Sequence, residues 1–329
     1  MEAINFGRFK TKSLAIMLRF LQQFTADLIS SIRNIKLIES RRRFTENFLI
    51  DQKTLKGHSL DVTGLIKINE SLLASVSIDT FIMLWDISMG QCLKTLYGHS
   101  HSVNCIIKLN KNHFASGSSD CSIKIWDIIT KECIKTLNGH KDHVTCIAKL
   151  NQKNIISSSK DCSIKLWDFT SGELMKTLFG MKDWIFCVIV LNQKMIVGGS
   201  ADKSIKIWDF ISGKTLTGHK SFVYCIIKLD DKVMASGSKD NSIKIWNFTK
   251  GNCLKTLYGH SNAVMCLIKL NNKQFVSGSK DSSIKLWDLR ANSCMKTLRG
   301  QGSEVLCIKI LNEKHILSAG FDIKLLDLF

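Results

Sequence analysis

Between residues 103 and 137, apolar and polar positions alternate in four short bursts separated by turn-forming residues. Val103 to Leu109 (VNCIIKL) mixes β-branched and apolar residues, and Asn110-Lys111-Asn112 then marks a turn. His113 to Ser118 predicts a second strand, which ends at a tight turn around Asp120. Ser122 to Trp126 (SIKIW) alternates as a third strand, and Cys133 to Leu137 (CIKTL) reads as a fourth. Residues 1–51 follow another period. Leu14, Leu21, Leu28 and Ile35 stand seven apart, with Met17, Phe24, Ser31 and Ile38 three further on. That spacing predicts an amphipathic helix from about Ser13 to Ser40. Leu18 and Ile32 widen its stripe, which suits docking or coiled-coil pairing. A basic targeting segment is the alternative, since Arg8, Lys10, Lys12 and Arg19 face the single acid Glu2.

The strand pattern recurs. Trp-Asp stands at Trp85-Asp86, Trp126-Asp127, Trp167-Asp168 and Trp208-Asp209, continues as Trp246-Asn247 and Trp287-Asp288, and fades into Leu326-Asp327. Gly-His recurs in phase at His58, His99, His140, His219 and His260, with Met181 and Gln301 in the remaining slots. An aspartate follows every slot at one fixed offset: Asp79, Asp120, Asp161, Asp202, Asp240, Asp281 and Asp322. Seven copies of a four-stranded unit predict an all-β fold, a seven-bladed propeller over residues 52–329, with residues 1–51 as a helical extension. The chain ends just after the third strand of the seventh copy. Lys53 to Lys56 has the sequence of an outer strand and is expected to pair with Ile323 to Leu328, closing the ring and removing an edge.

In these residues the chain resembles the WD-repeat proteins, G-protein β subunits among them. The resemblance implies a hydrogen-bonded His–Ser–Asp–Trp tetrad in each blade. Carried over by position, these are His58, Ser75, Asp79 and Trp85 in blade one, and His99, Ser116, Asp120 and Trp126 in blade two. Blade three has His140, Ser157, Asp161 and Trp167; blade five has His219, Ser236, Asp240 and Trp246; blade six has His260, Ser277, Asp281 and Trp287. Blade four departs, with Met181 and Gly198 in place of His and Ser. Blade seven has Gln301 and Leu326, and its turn at Asp322 is two residues short, so no tetrad is assigned to it. Both blades are expected to be the less stable ones.

Composition narrows the function. Lys plus Arg number 46 against 28 Asp plus Glu, a formal net charge of +18, which favours acidic partners. No apolar run approaches the roughly 20 residues of a membrane span. The twelve cysteines repeat with the structural period, have no CxxC pair and no zinc-ligand histidines nearby. They read as small buried residues in a reducing compartment, so the expected location is the cytoplasm, with the nucleus as the alternative. Neither a metal nor a cofactor is expected. The chain has no phosphate loop, GxSxG elbow or HExxH, and its His, Ser and Asp residues are phased with the blade. An enzyme is not expected. His101, His113, His143 and His315 share no spacing and are expected to face solvent.

Function is therefore sought where the copies differ. The position before the first strand's Val or Ile reads Asp61, Ser102, His143, Trp184, Phe222, Ala263 and Glu304; the position after reads Thr63, Asn104, Thr145, Phe186, Tyr224, Met265 and Leu306. The resemblance places both at the top mouth of the channel. Trp184, Phe186, Phe222 and Tyr224, with Lys160, Lys239 and Lys280 on the same rim, are the candidate partner-binding residues for a peptide carrying hydrophobic and acidic side chains. On the opposite face Lys67, Lys108, Lys149, Lys228 and Lys269 end the first strands and are expected to be a solvated ring. The leading reading is a protein-interaction scaffold, with residues 13–40 as a second contact. The alternatives are a substrate receptor of a ubiquitin ligase and a basic-face binder of nucleic acid or membrane surface.

Overall fold

The second strand of each unit carries small and apolar residues on both of its faces: FASGS in 114–118, MASGS in 234–238 and FVSGS in 275–279. A strand covered on both sides needs that composition, and these strands are buried almost from end to end. In the computed structural model, which describes residues 54–209, 213–291, 293–299 and 302–328, each unit is a four-stranded antiparallel sheet. Seven such sheets form. Blade two runs Val103–Lys108, His113–Ser118, Ser122–Asp127 and Cys133–Asn138 from inner to outer strand. The core lies between neighbouring blades: Ile66, Ala74 and Val76 of blade one pack with Phe114 and Trp126 of blade two.

The closing strand forms as expected. Thr54–Leu55 pairs antiparallel with Ile323–Asp327, Thr54 opposite Lys324 and Leu55 opposite Ile323. Blade seven is thus completed from the beginning of the chain. The helix expected between Ser13 and Ser40 lies outside the described residues.

Two local features shape the propeller's inner wall. In blades one to six the pairing of the inner strand slips by one residue at the same place, between Val103 and Cys105 in blade two and between Ile185 and Cys187 in blade four. The bulged positions are Thr63, Asn104, Thr145, Phe186, Tyr224 and Met265. A bulge re-aims the extra side chain, and here it does so at every blade. The second feature explains four of the six inner cysteines, since Cys146 faces Ser158 and Cys307 faces Ala319 instead. A Cβ placed on Gly117, Gly199, Gly237 or Gly278 would sit 2.6–2.9 Å from the sulfur of Cys105, Cys187, Cys225 or Cys266. Each thiol fills the space its facing glycine leaves open. Blade one inverts the pair, with Gly64 against Val76.

All twelve cysteines are free thiols, but their environments correct the uniform buried reading. Only the inner set packs inside, where burial pushes the thiols upward in pKa, Cys225 to about 12. Cys121 and Cys162 occupy left-handed turn positions at φ 67° and 62°. Cys92, Cys133 and Cys253 are exposed on outer strands, where consecutive side chains, and so both faces of the sheet, are open to solvent.

Candidate functional site

The bulged side chains converge. Thr63, Asn104, Thr145, Phe186, Tyr224, Met265 and the matching Leu306 of blade seven all line one cavity of about 460 Å³. Around it the ring divides in two. In blades one to three the residues are polar and bond across the seam to the next blade. Thr63 Oγ1 donates to the Val103 carbonyl at 2.5 Å, Asn104 Nδ2 to that of Val144 at 2.8 Å, and Thr145 Oγ1 to that of Ile185 at 2.5 Å. In blades four to seven the matching positions are Phe, Tyr, Met and Leu. One arc is stitched by hydrogen bonds and the other is greasy.

The aromatic residues meet across the seam between blades four and five. Phe186 lies 5.8 Å from Phe222 and 5.0 Å from Tyr224, centroid to centroid, and Trp184 meets Phe186 edge-on at 6.3 Å. Trp184 is 42% exposed, whereas Phe186, Phe222 and Tyr224 are half-buried. The lysines reach them through a repeated backbone contact. The residue before each turn aspartate donates its N–H to the residue before the bulged strand: Lys160 to His143, Lys239 to Phe222, Lys280 to Ala263. Lys160 Nζ then stands 4.4 Å from the Trp184 ring centroid, and Lys239 Nζ 4.8 Å from that of Phe222. Ammonium over a ring face is a favourable placement. Neither lysine has a carboxylate partner among the described residues.

Lys280 differs from the other two. It pairs with Glu304 at 2.7 Å, so its charge is already met. Burial, and next the Lys160 charge, pull His143 below its ordinary pKa, and burial raises Tyr224, so both are neutral at pH 7. Sequence reasoning placed Ser102, His143, Thr63, Asn104 and Thr145 at the mouth but missed Ser119 and the bonds that Thr63, Asn104 and Thr145 make across the seam. The fixed slip in the inner strand was the signal, and it shows only when facing strands are set in register.

The five tetrads are closed to solvent. His Nδ1 lies 2.7–2.8 Å from the aspartate Oδ2 in blades one, two, three, five and six. His Nε2 lies 2.6–2.8 Å from the serine Oγ. The Trp Nε1–H donates to that same oxygen at 2.7–2.8 Å. One tautomer satisfies all three contacts: Nδ1–H donates to the carboxylate and Ser Oγ–H donates to Nε2. Each of these serines is fully buried, and no reacting molecule reaches its hydroxyl.

Two expectations for surface residues are corrected. His315 is buried rather than solvent-facing, with Nδ1 2.9 Å from Asn312 Oδ1 and Nε2 2.9 Å from Asp327. His113 is half-buried beside Asp127, and His143 lines the mouth; only His101 is exposed. The basic ring on the other face is not a freely solvated one. Lys108, Lys149 and Lys269 donate across the seam to the carbonyls of Ile68, Leu109 and Leu229, and Lys67 donates to Leu311 at 3.2 Å.

Six segments, residues 51–86, 90–127, 131–168, 172–209, 211–247 and 251–288, match the family model described as WD domain, G-beta repeat. The chain belongs to the WD-repeat family. Blade seven, without the Trp and with a shortened turn, is a WD-repeat blade in architecture and lies outside the matched segments. Among curated proteins there is no match. Of solved structures, the chain is similar to the WD40 beta propeller domain of Doa1, at 24% identity and a TM-score of 0.76, covering 84% of this chain and 96% of that one. That likeness speaks to the fold alone. WD-repeat propellers generally serve as non-catalytic platforms for other proteins.

Proposed function

We propose that this WD-repeat chain is a non-catalytic interaction scaffold whose channel mouth captures a peptide segment bearing hydrophobic and acidic side chains. The carrying observation is the pair of ammonium groups, Lys160 and Lys239, standing on aromatic faces without a carboxylate partner among the described residues. An apolar ligand side chain enters against Phe186, Tyr224 and Met265, and carboxylates flanking it meet the two lysines. The polar arc then offers hydroxyl and amide groups to the ligand backbone. The proposal includes a reducing compartment, the cytoplasm, which suits twelve free thiols of which three are exposed.

The test uses a fluorescein-labelled peptide of alternating glutamate and phenylalanine and reads its polarisation. Lys160→Glu with Lys239→Glu weakens binding at least tenfold, and added salt weakens the wild-type complex. The control is Lys194→Glu, an exposed loop lysine at the far end of the inner strands, which leaves binding intact. Equal affinity for wild type and the double variant contradicts the proposal.

A further inference from the structure

The lysines that end the inner strands draw on two acceptor positions, and blade seven keeps both positions without the lysine. Two acceptors stand within reach of a lysine in this slot. One is a carbonyl of the preceding blade across the seam, which Lys67, Lys108, Lys149 and Lys269 use. The other is a side chain three residues on in its own loop, which Lys67, Lys228 and Lys269 use. Lys67 bonds the Leu311 carbonyl at 3.2 Å and Glu70 Oε2 at 2.7 Å. Lys269 bonds the Leu229 carbonyl and Asn272 Oδ1, the latter at 3.0 Å. In blade seven the slot holds Ile310, yet both acceptors are kept. The Leu270 carbonyl stands at the matching place across the seam, and Glu313 is the residue three further on.

A cavity of about 460 Å³ opens there, lined by Leu270, Asn271, Ile310, Asn312, Glu313 and Leu328. Ile310, Leu270 and Leu328 belong to one apolar cluster and form its wall. Glu313 is exposed and has no ion pair among the described residues; the nearby Lys296 is held on the Leu328 carbonyl at 3.1 Å. Blade four also lacks the lysine, but there Val190 packs with Leu150 and the residue three on is the uncharged Gln193. Blade seven alone joins an empty lysine slot to a carboxylate.

We propose that this pocket receives a lysine side chain from a peptide segment of a partner protein. The apolar stem lies along Ile310 and Leu328, and the ammonium takes the Leu270 carbonyl and Glu313. An apolar wall ending in acceptors suits lysine, whose four-carbon stem buries while its three donors are satisfied. The occupant is argued from the molecule's own lysines, which fill the equivalent slot in cis. The pocket lies at the opposite end of the inner strands from the channel mouth, so it stands or falls independently of the proposed function.

The experiment uses the full chain with ¹³C-labelled Ile and Leu methyl groups at 150 mM salt, where charge repulsion beyond about 8 Å is screened. The probe is the capped pentapeptide Gly-Leu-Lys-Leu-Gly. It shifts the Ile310 and Leu270 methyl signals, and the same peptide with norleucine for lysine binds at least fivefold more weakly. Glu313→Gln, a surface change, weakens the lysine peptide at least threefold. Ile310→Lys supplies the missing side chain in cis, raises the melting temperature and abolishes the Leu270 shift. Unmoved methyl signals, equal binding of the norleucine peptide, or full binding to Ile310→Lys each overturn the proposal. A shift produced by spermidine but not by the peptide overturns the peptide as occupant.

Discussion

Blades two and four have the same four strands, yet they are held together by different forces. In blade two, His99, Ser116, Asp120 and Trp126 satisfy one another, and Trp126 is 1% exposed. In blade four, Met181 fills the histidine slot and packs with Ile164, Ile185, Val188 and Trp208. Trp208 turns its Nε1–H to the Phe179 carbonyl at 3.2 Å and is 9% exposed. Gly198 gives the ring its room, since a Cβ there would lie 3.0 Å from the Trp208 ring. Asp202 keeps Ser204 and the Lys182 N–H but has no histidine. A polar lock in one blade is an apolar plug in the other. Blade four is also where Trp184 and Phe186 stand at the mouth, and of the four rim aromatics Trp184 is the exposed one.

Opening the ring is expected to cost the most stability. Blade seven has no assigned tetrad and borrows its outer strand, so a chain beginning at Gly57 loses the pairing with Ile323–Asp327 that one beginning at Asp51 retains. Its melting temperature is expected to fall by roughly 5–10 °C, given about 2–4 °C per kcal/mol for domains of this class. Equal midpoints would mean that blade seven needs no fourth strand.

Next in size is the lock itself. Asp120→Ala removes the acceptor of a buried charge-assisted bond and should cost about 1.5–3 kcal/mol in urea unfolding. Asp202→Ala should cost roughly half as much, because no buried histidine is orphaned. If both lose the same, the carboxylate serves the turn alone and the tetrad contributes nothing.

The smallest effect is in pH. Burial, the dominant influence, holds His58 and His260 below the ordinary histidine value despite their aspartate partners. The unfolded chain takes up these protons near pH 6.5 and the folded one only at lower pH, so stability drops as pH falls below about 6.5. For Asp120, Asp161, Asp240 and Asp281, burial opposes the charge, but bonds from histidine and serine overcome it and lower the pKa, in Asp281 to about 2. Their contribution is present above about pH 4 and is lost on further acidification. Blade four, with methionine in place of histidine, adds nothing to the upper window. Urea midpoints that stay flat from pH 7.5 to 5 would contradict the neutral, buried state of His58 and His260.

The fold was legible because its period is chemical. Asp79 through Asp322 recur with Gly-His and Trp-Asp, and even the borrowed strand at Thr54–Leu55 followed from where the last repeat stops. The aromatic rim was legible for the opposite reason, since Trp184 and Phe222 are the residues the period does not explain. What stayed hidden depends on contacts between distant positions. Lys108 reaching the Ile68 carbonyl, the Cys105 sulfur filling the space beside Gly117, and His315 sheltered by Asp327 all need neighbouring strands in register. No local pattern announces them.

On the proposed function the tetrads hold the fold and the rim binds the partner, and one double variant measures both at once. Trp184→Ala with Phe222→Ala should abolish capture of the glutamate–phenylalanine peptide, because aromatic anchors carry 2 kcal/mol or more each at an interface. Its unfolding free energy should stay within about 1 kcal/mol of wild type, as half-exposed rings add little to a core. Peptide still bound at full affinity, or a stability loss of several kcal/mol, would show that these rings are blade packing and that the binding surface lies elsewhere.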